Sequence, residues 1–175
     1  AIGTGILAES ILNNDSDILS IISRHKSDLV RCWFAYTIGK KEELTIEELL
    51  QQIQFLSADK HFGVREISWL AIRSSIIKNL EKSFEILLEW TSSEDENIRR
   101  FATESTRPRG VWCEHIEKLK KEPELGLNIL NALKSDSSKY VQDSVGNWLN
   151  DTSKTRPDFV KDLCEKWKTT RTYLF

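Results

Sequence analysis

Along residues 45–56, TIEELLQQIQFL, the apolar side chains Ile46, Leu49, Leu50, Ile53 and Leu56 recur at three- and four-residue steps. They fall on one stripe of a helix. Thr45, with Glu48 three positions on, composes a capping box that starts it. LEKSFEILLEW, residues 80–90, repeats the pattern with Leu80, Phe84, Leu87 and Leu88 in register. ELGLNILNALK, 124–134, predicts a further helix, opened by Pro123 as an early helical residue. RPDFVKDLCEKW, 156–167, predicts another, with Pro157 near its start.

Between these helices an apolar–arginine pair recurs: Val30-Arg31, Val64-Arg65 and Ile98-Arg99, then Val141-Gln142 with glutamine in the arginine's place. The steps are 34, 34 and 43 residues, and Asp28, Asp59, Asp95 and Asp136 stand two to five residues ahead of the pairs. Each unit therefore reads as helix, short polar turn, helix. Stacked units of this length predict an all-α fold, an α-solenoid of helix pairs of the HEAT or armadillo kind. The bland alternative is an irregular helical bundle. One domain is expected over 1–175, with repeats at roughly 12–40, 45–79, 80–110 and 123–154 and a terminal helix over 157–168. In such a stack the second helices line one concave face.

Composition narrows the class without naming it. With 39% apolar and 30% charged residues, the chain has an ordinary water-soluble profile. Seven glycines and three prolines leave little room for an all-β fold rich in tight turns. No apolar run approaches the roughly 20 residues of a membrane span, and no signal peptide is evident. Cys32, Cys113 and Cys164 lie far apart, with no CxxC or Cys/His cluster, so neither zinc nor a disulfide framework is expected. The expectation is a cytoplasmic monomer without a cofactor. The absence of methionine points to a fragment, or to modified methionines missing from the sequence.

The net charge is −2, yet it is segregated. From Arg99 to Lys121, seven Lys/Arg face three Glu, a local +4. Arg99, Arg100, Arg107 and Arg109 stand within eleven residues, with Glu104 among them and Trp112 closing the run. Pro108 forbids a continuing helix and Gly110 permits a tight turn. A rigid loop bearing arginines suits phosphate contact by Arg107 and Arg109, whereas ladder salt bridges between repeats are the structural alternative. Three segments pair an acid with a tryptophan: Glu66 with Trp69, Glu104 with Trp112, and Asp151 with Trp148. Each has a structural reading. Glu66 can be a solvated acid, Trp69 and Trp148 lie in apolar stripes, and Asp151, placed just after a helix, can cap the next turn. His25, His61 and His115 are scattered and read as structural.

RRFATESTRPRGVW, together with KYVQDSVGNWLNDTSK and HFGVRE, resembles the DNA alkylation repair family, the AlkC/AlkD group of HEAT-like DNA glycosylases. The likeness is closest to the AlkC-like branch and covers roughly residues 60–167. The E-x-T-R-P-R-x-x-W core and the S-V-x-N-x-L-N-D-x-S-K segment carry it. The resemblance implies excision of cationic N-alkylated bases such as 3-methyladenine from double-stranded DNA, without flipping the base into a pocket. It implies that Glu104, Trp112 and Asp151, with Glu66 less securely placed, act on the damaged nucleotide. Arg100, Arg107, Arg109, Lys139 and Lys154, with Trp69 and Trp148, are the expected DNA contacts. The chain departs from the family in being shorter than typical members and in carrying Gln142 in the last ladder pair.

The chemistry suits these residue types independently. As the glycosidic bond of a cationic alkylated purine stretches, positive charge moves onto the sugar. A carboxylate about 4 Å away stabilises that charge by roughly 4 kcal/mol at an effective dielectric of 20. An indole face adds cation–π attraction of roughly 1–2 kcal/mol. Phosphates repel such an acid, so arginines must surround it. A non-catalytic protein reading bent or branched DNA, and a protein-binding scaffold, are the alternatives.

Overall fold

The computed structural model describes residues 16–172, and among them no strand occurs. The helices are α1 (Ser16–Ser23), α2 (Asp28–Gly39), α3 (Ile46–Ser57), α4 (Phe62–Ala71), α5 (Arg73–Lys78), α6 (Leu80–Trp90), α7 (Glu96–Glu104), α8 (Glu117–Lys121), α9 (Leu127–Leu133), α10 (Lys139–Ser153) and α11 (Pro157–Thr172). A 3₁₀ turn, Pro123–Gly126, leads into α9. The expected start of the first repeat, at residue 12, lies outside the described residues.

The helices form two rows. α2, α4, α7 and α10 pack in succession, with α11 against the last of them, and α3, α6 and α9 pack in succession behind. Each helix of the first row also packs on its partner in sequence, giving α1–α2, α3–α4, α6–α7 and α9–α10. This is an α-solenoid. The expected stripe on α3 is inside: Ile46, Leu49, Leu50, Ile53 and Leu56 are all buried. Each such side chain contributes about 1.5–3 kcal/mol relative to exposure. Both halves of the Thr45–Glu48 capping box form. α2 and α4 approach so closely that a Cβ on Gly39 would lie 2.1 Å from the Ala71 carbonyl oxygen.

The recurrent arginine is a loop clamp. It lies one turn into the second helix, and its guanidinium folds back onto the carbonyls five and six residues upstream. Arg31 donates to His25 and Lys26, Arg65 to Asp59 and Lys60, and Arg99 to Ser93 and Glu94. Gln142 keeps one such bond, to the Asp136 carbonyl. Two of the arginines also grip the aspartate of the next unit through both oxygens: Arg31 with Asp59 at 2.6 and 2.9 Å, and Arg99 with Asp136 at 2.7 and 2.9 Å. The middle rung differs. Asp95 caps its own helix by accepting from the Asn97 amide, and Arg65 turns to the Tyr140 hydroxyl.

The ladder makes stability pH-dependent. The Arg99 hydrogen bond, the Ser138 amide and the Arg99 charge outweigh burial and hold the Asp136 carboxyl below its ordinary range. A carboxyl depressed in the folded state contributes stability above its unfolded value, near 3.9, and loses it as pH falls through the folded value. Asp136→Asn is therefore expected to destabilise the protein by about 1.5–3 kcal/mol at pH 7, the size of a charge-assisted bond. The deficit relative to wild type should shrink below about pH 4. Urea unfolding at pH 7 and in acid checks this; a deficit that does not change with pH contradicts it.

A candidate active site across α4, α7 and α10

α7 ends at Glu104, and Ser105, still right-handed, follows as its C-cap. Pro108 prevents continuation. The chain turns over residues 105–115 and is closed by the Ile116 amide on the Pro108 carbonyl. At the turn, a Cβ on Gly110 would lie 2.4 Å from the Cys113 sulfur, so the loop packs tightly on itself there. Trp112 has φ +62° and is 95% exposed. A left-handed backbone at a bulky residue costs about 1–3 kcal/mol.

The acids and arginines form one alternating line across three helices. Glu66 on α4 accepts from Arg100 on α7 at 2.7 Å and from the Trp69 indole at 3.1 Å. Arg100 also pairs with Glu104, one turn along α7, at 3.4 Å. Glu104 takes the Ser144 hydroxyl at 3.0 Å and Arg107 at 3.3 Å. The Arg107 Nε donates to Asp151 on α10 at 2.8 Å, and Lys154 stands 3.5 Å from the other Asp151 oxygen. Glu104 and Asp151 thus face one shared guanidinium. Burial opposes the charge of Arg107, but the Asp151 bond and the Glu104 and Asp151 charges outweigh it and hold its proton more tightly than usual.

Exposure sorts these residues. The side chains of Glu104 and Asp151 are 3% exposed, that of Glu66 is 32% and that of Lys154 is 54%. The inner four charges, Arg100, Glu104, Arg107 and Asp151, sum to zero. The line therefore ends in an accessible acid at Glu66 and an accessible cation at Lys154.

Several expectations change. Trp69 and Trp148 are buried, and Trp148 packs its ring against Gly126 and donates to the Thr106 carbonyl. Their large apolar faces are in the core and not at the surface where DNA contacts were expected of them. Asp151 does not follow a helix; it lies within α10, and its carboxylate is paired rather than capping. Arg100 and Arg107 are mostly buried and committed to carboxylates, which removes them as free phosphate ligands. Arg99 belongs to the ladder. Of the four arginines in the run, Arg109 differs: its buried Nε has no hydrogen-bond partner. Lys139 is 82% exposed and meets Asp143 on its own helix. α11 runs to Thr172, past the expected 168.

Two residues escaped the sequence reading. Tyr140 carries the Arg100 guanidinium 4.3 Å above its ring and that of Arg65 at 5.5 Å. Arg73 is 2% exposed and donates to loop carbonyls. Arg73 left a signal, a lone cation inside the apolar run WLAIRSSII. Tyr140 left none, because its partners lie 40 and 75 positions away.

The stacked helix pairs are shared with known proteins. The family model described as DNA alkylation repair enzyme matches residues 64–173, and the chain belongs to that family. A curated relative, the uncharacterized protein YhaZ of Bacillus subtilis (strain 168), is 38% identical over 112 residues, covering 64% of this chain and 31% of YhaZ. Among solved structures, Pseudomonas fluorescens alkylpurine DNA glycosylase AlkC, bound to DNA containing an abasic site analogue, superposes with a TM-score of 0.78 at 25% identity. That match covers 94% of this chain and 46% of AlkC. AlkD2 of Streptococcus mutans superposes with a TM-score of 0.74 at 27% identity, covering 94% of this chain and 80% of AlkD2. The chain thus spans under half the length of AlkC and under a third of YhaZ.

Proposed function

We propose that the chain carries the lesion-recognising face of a DNA glycosylase that hydrolyses the N-glycosidic bond of cationic N-alkylated bases. The observation that carries this reading is the line of charges with its one accessible acid. Glu66 is held at the surface by the Trp69 indole and Arg100, while the neutral inner pairs keep Glu104 and Asp151 from adding free negative charge against the phosphates. Likeness to an alkylpurine DNA glycosylase supports the same reaction class.

In the reaction the glycosidic electron pair passes to the base, which leaves neutral, and the sugar carries the positive charge. Glu66 faces that charge. Water then bonds to the sugar carbon and gives its proton to a carboxylate. The exposed Trp112 offers an indole face to the same cationic nucleotide. Lys154, half exposed at the end of the line, takes a phosphate. Glu104 and Asp151 act one layer beneath, by fixing Arg100 and Arg107. Because Glu66 lies at a surface between α4 and α7, the nucleotide is read in place, without drawing the base into a pocket.

Incubation with methylated duplex DNA should release free 3-methyladenine and leave abasic sites, measured by mass spectrometry. Salt-sensitive binding without release would assign the protein to non-catalytic DNA recognition instead.

A further inference from the structure

Arg73 lies beneath the site and belongs to none of the ion pairs above. Its guanidinium donates to the Ser105 carbonyl at 2.5 Å, the Arg107 carbonyl at 2.6 Å, and the Glu114 carbonyl through Nη2 at 3.1 Å and Nε at 3.2 Å. These carbonyls stand at the two ends of the 105–115 turn, so one planar fork closes the mouth of the loop. The first follows directly on the C-terminus of α7, where the helix dipole leaves partial negative charge. Five donors in a rigid plane satisfy this set, and a lysine cannot.

The apex of the loop rests on the same support. A Cβ on Gly110 would lie 3.7 Å from the Arg73 Nη2 and 3.8 Å from the Trp69 ring. Trp69 in turn bonds Glu66. The loop bearing Trp112 is therefore seated on the stretch of chain that holds Glu66, and its backbone is pinned from below. Pinning is what keeps an exposed tryptophan in a left-handed backbone conformation, since the Trp112 side chain makes almost no contact that could do so.

We propose that Arg73 is a positioning residue: it clamps the backbone of the 105–115 loop so that Trp112 is presented, preformed, toward the nucleotide that faces Glu66. The clamp follows from the hydrogen bonds alone; the purpose of the presented indole rests on the glycosylase reading.

The test compares wild type, Arg73→Lys, Trp112→Ala and the double variant. Two readouts are taken: backbone hydrogen exchange, and affinity for a duplex containing an abasic-site analogue. Arg73→Lys should accelerate exchange of amides 105–116 while those of α3 and α10 stay protected. It should weaken binding by roughly tenfold, the loss of one well-placed contact. In the Trp112→Ala background it should weaken binding no further, because both changes remove one unit. Unchanged loop exchange, or exchange rising equally in every helix, overturns the clamp. Additive binding losses overturn its action through Trp112. If the wild-type protein does not bind the duplex, the glycosylase reading falls, and the exchange result still decides the clamp.

Discussion

Glu66→Gln is expected to lower the rate of base release by about three decades, the equivalent of roughly 4 kcal/mol of lost charge stabilisation. DNA binding should not weaken with it. In the wild-type protein Glu66 accepts from one edge of the Arg100 guanidinium. Removing its charge takes one accessible negative charge off the surface that faces the phosphates, so affinity for undamaged duplex should hold or rise while the single-turnover rate falls. That split separates an acid acting in the transition state from one that only shapes the surface. Stability should change little, within about 1 kcal/mol, because the pair is partly exposed. Single-turnover release of labelled base, measured beside duplex affinity, checks both halves.

Arg107→Met is expected to have the largest effect on stability. Arg107 is the counterion of both Glu104 and Asp151, whose carboxylates are almost wholly buried. Breaking a buried pair by removing one partner costs about 3–5 kcal/mol. In a domain of this size that lowers the melting temperature by roughly 10 °C. Lys154 faces only Asp151 and is itself half exposed, so it compensates little. Adding Asp151→Leu should restore part of the loss, since the pair is then replaced by apolar side chains rather than halved. Base release should fall in the single variant, because Glu104 and Asp151 then outnumber Arg100 and the buried line is no longer neutral. Thermal unfolding by circular dichroism, with an unchanged far-ultraviolet spectrum at low temperature, reads the effect. A loss of DNA affinity with full stability would return Arg107 to the phosphate role first expected of it.

What could be read from the residues was mostly local. The α3 stripe and the Thr45–Glu48 cap involve neighbours three or four positions apart, so spacing alone carried them. The arginine ladder was visible because each rung repeats the same local clamp onto its own loop. Its broken middle rung was not visible, since Arg65 turns to Tyr140, which arrives from α10, 75 positions along the chain. The same limit explains the arginines at 100 and 107. A run of positive charge on a helix end looks like a phosphate clamp until Glu66 and Asp151, 34 and 44 residues away, are seen to neutralise it. For Trp69 and Trp148 the apolar stripe was the correct guide, and proximity to an acid was not. The exposure of the acids was hidden for a related reason: Glu66 is the more accessible, while Glu104 and Asp151 are buried. Burial, which decides whether a carboxylate can meet a nucleotide, is set by the neighbouring helices and not by the motif that contains it.

In the proposed reaction an accessible carboxylate at the end of a neutral buried line accelerates loss of a base because that base is cationic. Matched duplexes carrying 3-methyladenine or its neutral 3-deaza analogue test it most directly, with release corrected for the uncatalysed rate of each. Strong acceleration is expected for the cationic base, little for the neutral one, and collapse of that difference in Glu66→Gln. Equal acceleration of both bases, or a difference that survives in Glu66→Gln, would contradict it.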